Sequence, residues 1–82
     1  MSARIKVILP ILNQSCLIEA LQRMGYKVRE NGEEVMLPEL SGYYKAKFQK
    51  DSSGKYVLHG DADIIPGDFT KRLKDMYFNI YH

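Results

Sequence analysis

His59, Asp61 and Asp63 stand at alternate positions, so a strand running through all three would turn an imidazole and two carboxylates to one face. Such a set can hold a divalent cation. Gly60 weakens the strand and no fourth ligand stands nearby, so the plainer reading is a solvated strand end running into a loop. Tyr43, Lys45 and Lys47 share a second two-residue period, with Lys50 and Lys55 close by. An aromatic among lysines on a sheet can stack bases and neutralise phosphates of single-stranded nucleic acid. The same lysines also serve simply to blunt an edge strand against self-association, and that reading is preferred. Cys16 falls in the first turn of a predicted helix, where the helix terminus can lower a thiol pKa. A small, partly buried core residue is the simpler role for it. There is no phosphate-cradling glycine loop, no Cys-x-x-Cys and no His-Glu-x-x-His. No catalytic constellation emerges, and no cofactor is implied.

Phe78 and Tyr81 lie off the apolar stripe of the last predicted helix; exposed aromatics of this kind often mark a protein-binding surface, and the alternative is a second apolar contact with loops of the same chain. Lys71, Arg72 and Lys74 of that helix read as its solvated side.

These side chains must be placed by a short list of elements. Leu17, Leu21 and Met24 recur at i, i+4 and i+7, with Ile18 and Ala20 widening the stripe, which predicts an amphipathic helix. Asn13 or Ser15 can cap its start, and Gly25 stands where such a helix stops. After Gly25 the period changes to two. Asn31-Gly32 predicts a type I′ hairpin, with Glu30 opposite Glu33, Val28 opposite Val35, Tyr26 opposite Leu37 and Arg29 opposite Glu34. Upstream, Ile5, Val7 and Leu9 alternate with Arg4, Lys6 and Ile8, a strand with one buried face that Pro10 ends. The β-α-β run over residues 4–28 is long enough for a crossover, with its two strands parallel and adjacent or separated by one strand.

Pro38 and Gly42 mark a loop or short edge excursion. Strands are expected over 43–50, with Tyr44, Ala46 and Phe48 on the apolar side, and over 55–59, joined by the turn Asp51-Ser52-Ser53-Gly54. Asp68 is placed to cap a last helix, whose stripe is Phe69, Leu73, Met76, Tyr77 and Ile80. Five half-polar strands and two one-sided helices predict an α+β domain in the order β-α-β-β-β-β-α. Its antiparallel-rich sheet carries both helices on one face, a ferredoxin-like variant.

Eighty-two residues make one domain. Twelve basic against ten acidic side chains give a net charge of +2, too balanced for a dedicated nucleic-acid binder. A single cysteine excludes an internal disulfide and points to a cytoplasmic setting. No stretch approaches a membrane span, and Arg4 and Lys6 interrupt any N-terminal signal region.

At Leu17-x-x-Ala20-Leu21, running to Gly25-Tyr26-x-Val28, the chain resembles a family of small uncharacterised proteins, the hypothetical chloroplast reading frame 35 family. The resemblance continues through Gly54-Lys55-Tyr56-x-Leu58 and Phe69, Leu73 and Tyr77. The tryptophans that the family carries after its last strand are missing, since this chain has none. The resemblance implies a fold and no active site.

The preferred functional expectation is a non-enzymatic module that binds another protein, as an adaptor or inhibitor. It would act through Phe78 and Tyr81 or through an exposed strand edge that could also make a homodimer. The alternative is nucleic-acid binding on Tyr43, Lys45, Lys47, Lys50 and Lys55. A metal site on His59, Asp61 and Asp63 ranks last.

Overall fold

In the computed structural model, which describes residues 3–81, the alternating run at the start of the chain forms β1 (Arg4–Ile8). Helix α1 (Gln14–Arg23) follows, with the Asn13 side chain accepting the Cys16 amide at 3.0 Å as its cap. The helix ends as the sequence predicts. The Gly25 amide donates to the Gln22 carbonyl and the Tyr26 amide to that of Leu21, the paired closure of a Schellman motif. Strands β2 (Arg29–Asn31) and β3 (Glu34–Met36), a short 3₁₀ turn (Pro38–Leu40), β4 (Lys47–Lys50), β5 (Tyr56–Asp61) and helix α2 (Phe69–Tyr81) complete the chain. Asp68 stands at the capping position of α2, its carbonyl taking the first intrahelical bond from Arg72.

All five strands form one antiparallel sheet in the order β1-β5-β4-β3-β2. This corrects the crossover expectation. β1 and β2 do run in the same direction, but they stand at opposite edges with three strands between them. The pairing of β1 with β5, its most distant strand in sequence, puts the first and last strands side by side.

Both helices pack on one face of the sheet. Leu17, Ala20 and Leu21 of α1 and Phe69, Leu73 and Tyr77 of α2 are buried against Val35, Phe48, Tyr56 and Leu58 of the strands. Each fully buried large side chain of this set contributes about 2 kcal/mol of transfer free energy. Tyr26 meets Phe69 edge-on, with ring centroids 5.5 Å apart. The Tyr77 hydroxyl accepts the Leu12 and Asn13 amides, tying α2 to the start of α1.

The first hairpin differs from its predicted register. Glu30 pairs with Val35, Arg29 with Met36 and Asn31 with Glu34, so the turn is Gly32-Glu33. Gly32 has φ +62°, and among the described residues no non-glycine residue has positive φ. That is the II′ pattern, glycine first, rather than I′ over Asn31-Gly32. The shift is by two residues, which keeps each side chain on its face. Tertiary anchors hold this register: Gln14 donates to the Gly32 carbonyl, the Tyr56 hydroxyl to that of Glu33, and Gln49 to the Glu34 carboxylate at 2.6 Å. Burial, and then the charges of Glu33 and Glu30, raise the Tyr56 pKa, which keeps that phenol a donor. Tyr26 and Val28 precede β2 and pack half-buried against the core outside the ladder.

The later strands are also re-cut. Residues 43–46 are irregular because Ser41 intercepts the backbone, donating to the Leu37 carbonyl and accepting the Ala46 amide. β5 runs two residues beyond its expected end, through Gly60, where a Cβ would meet Ile65 Cδ1. Glycine lets the end of the Ile65 side chain approach closely there and does not break the strand. Among the described residues, no helix is long and apolar enough to cross a membrane.

Candidate binding face of the sheet

With both helices on one side, the side chains that alternate out of the core lie on the other side. Strand register groups them into rows. Lys6 lies beside His59, His59 beside Lys47, Lys47 beside Met36, and Met36 beside Arg29, so one row crosses all five strands. A second row contains Ile8, Val57, Gln49, Glu34 and Asn31. At one end, Arg4 pairs with Asp61.

Lys45 completes the cationic set. It lines a cleft of about 250 Å³ with Arg4, Tyr43, Tyr44, Lys47 and His59. It also lines a neighbouring hollow of about 220 Å³ with Arg29, Met36 and Pro38. Five cations (Arg4, Lys6, Arg29, Lys45, Lys47) thus share this face with two carboxylates, those of Glu34 and Asp61. Both acids are engaged: Glu34 by Gln49, and Asp61 by the Tyr43 and Asp63 amides at 3.0 Å. A further hollow at the far end holds Glu33 and Glu34 against Lys50, and has no such bias.

His59 registers the field of these cations. Partial burial pushes its pKa below the usual histidine range, and Arg4, Lys47 and Lys6 push it further in that direction against a weaker pull from Glu34. Its Nδ1 is buried without a hydrogen-bond partner.

The predicted nucleic-acid residues are divided by the fold. Tyr43, Lys45 and Lys47 share the cleft, and Tyr43 is 81% exposed. Lys50 falls in the row that faces the helices and lies over the Tyr56 ring, 5.6 Å from its centroid. Lys55 sits in the β4–β5 turn, donating its amide to Asp51. Tyr43 and Tyr44 pack edge-on against each other at the rim. The central strands offer this face Lys47, Gln49 and His59, with buried Val57 beside Gln49 and no aromatic platform.

His59, Asp61 and Asp63 are not assembled as a ligand set. Asp61 is 1% exposed and turned onto backbone amides, one of them that of Asp63, which lies in the following turn. Among the described residues no group of three or more His, Cys, Asp or Glu side chains is placed to hold a metal. Cys16, half-buried on α1, packs against the core on the opposite side of the sheet from His59. Phe78 and Tyr81 are 40% and 52% exposed, and both lean on Tyr77, edge-on at 5.2 Å and stacked at 5.4 Å.

Arg4, Lys6, Arg29 and Met36 are members of this face that the sequence did not single out. The alternation of Arg4 and Lys6 with Ile5 and Val7 did say that they point outward. It could not say that β1 lies beside β5, which brings them next to His59 and Lys47. No family model, curated protein sequence or solved structure matches the chain.

Proposed function

We propose that the protein is a non-enzymatic interaction module that binds a protein partner, and that the partner presents acidic groups to the open face of the sheet. The observation that carries this reading is the row of Lys6, His59, Lys47, Met36 and Arg29 on the side of the sheet away from the helices, exposed at Lys6 and Arg29, half-buried between them, and flanked by Arg4 and Lys45. The mixture suits a protein surface. Cations stand beside accessible aliphatic groups, half-buried Met36 and exposed Ile8, as at interfaces where apolar contact supplies affinity and charge supplies selectivity and rate. Nucleic-acid binding is the second reading. It draws on Tyr43 beside the cations, but lacks stacking residues on the central strands. Kinship with the hypothetical chloroplast reading frame 35 family remains part of the proposal, and adds no active site to it.

The test compares proteins retained from a nuclease-treated lysate of the source cells. The expected result is a specific partner held by the wild type and lost with the double variant Lys6→Glu/Lys47→Glu, whose folding is checked by thermal unfolding. Retention of the same partner by that variant overturns the reading. Loss caused instead by Phe78→Ser/Tyr81→Ser moves the interface to α2. Material that disappears on nuclease treatment favours nucleic acid.

A further inference from the structure

β1 is the longer of the two sheet edges, five residues against three in β2. Its backbone has a definite polarity. The Ala62 amide bonds the Ala3 carbonyl at 2.7 Å and the Leu9 amide bonds the Tyr56 carbonyl at 2.9 Å. Residues 3 and 9 therefore direct their backbone groups at β5, and the antiparallel alternation does the same for Ile5 and Val7. The amides and carbonyls of Arg4, Lys6 and Ile8 point away from the sheet, along its free edge.

The two sides of this edge differ in chemistry. Toward the helices, half-buried Ile5 and Val7 border a groove of about 230 Å³ whose other wall includes Ile65, Pro66 and Thr70. Toward the open face stand Arg4 and Lys6, both exposed, and Ile8, which is 62% exposed.

We propose that the free edge of β1 accepts, as a sixth strand, an extended segment of the partner in which acidic residues alternate with apolar ones. Strand addition matches alternate side chains to alternate faces. Acidic groups would lie beside Arg4 and Lys6 while apolar ones enter the groove beside Ile5 and Val7. A second copy of this chain is the poorer occupant. Symmetric antiparallel pairing over the full length of β1 places Lys6 opposite its own counterpart, and like charges directly opposed are unfavourable. The inference rests on the proposed protein-binding role of the open face and specifies how the partner engages it.

The probe is a short capped peptide of alternating glutamate and valine, followed by fluorescence anisotropy and by amide exchange in NMR. The expected result is binding that slows exchange at Arg4, Lys6 and Ile8 and leaves the already bonded amides of Ile5 and Val7 unchanged. N-methylating alternate amides of the peptide, which spares its charge and leaves the protein untouched, should weaken binding about tenfold or more as several backbone bonds are lost. Lys6→Glu should reverse the preference toward a lysine–valine peptide. Equal binding of the N-methylated peptide, or of one with the same composition in glutamate and valine blocks, overturns strand addition. If that binding is still lost in Lys47→Glu, charge attraction to the open face survives alone. Absence of any binding overturns the occupant proposed here, while the lysate comparison judges the wider reading separately.

Discussion

At the scale of single residues, the surroundings of His59 change how it titrates. It sits between Lys6 and Lys47 in the sheet, and burial and neighbouring cations hold its pKa below the ordinary value of 6.5. The unfolded chain therefore takes up the proton first as pH falls, so the folded state loses stability from about pH 6.5 down to the depressed folded pKa. Above that window His59 is neutral in both states and contributes no pH dependence. His59→Gln should flatten this part of the stability profile, as urea unfolding at a series of pH values would record. A wild-type curve that is level across the window would contradict the account. The sequence marked His59 as chemically interesting, but for the wrong partners. Its spacing from Asp61 and Asp63 suggested a metal, whereas the fold surrounds it with cations from β1 and β4 and spends Asp61 on backbone amides.

At the scale of elements, the start of α1 depends on a contact from the far end of the chain. Asn13 caps the helix with its own side chain, and its amide and that of Leu12 are received by the Tyr77 hydroxyl. Asn13→Ala should cost about 1 kcal/mol. Tyr77→Phe should cost about 1–2 kcal/mol by leaving part-buried amides without their acceptor. Because both changes act on one helix start, the double variant should depart from additivity, and a double-mutant cycle by chemical denaturation measures the departure. Helix positions were largely legible, since an apolar stripe and a glycine stop are local signals. The hairpin was legible in place but not in register. Asn31-Gly32 and Gly32-Glu33 are both acceptable turns locally, and Gln14, Gln49 and Tyr56, which hold the second, are contributed from three other elements.

At the scale of the whole molecule, the return from β5 to α2 closes the sheet against the helix layer. Gly60 eases this, because a Cβ there would force the end of the Ile65 side chain to shift. Gly60→Ala should lose about 1–3 kcal/mol through overpacking. Gly67→Ala, in the same connection with nothing within 4 Å, should be close to neutral at that position. Equal unfolding midpoints for the two variants would refute this view of the layer contact. The amino-acid sequence by itself determined the α+β class, both amphipathic helices and the alternation that turns Arg4, Lys6 and Lys47 away from the core. Those properties depend on residue type and near-neighbour spacing, which hydrophobic periodicity reports directly. Only the tertiary structure decided that β1 joins β5 rather than β2, and so which outward side chains became neighbours. Strand order is set by long-range pairing and by how two helices cover one face, and no local period encodes either of them. The cationic face and its open edge come from that pairing.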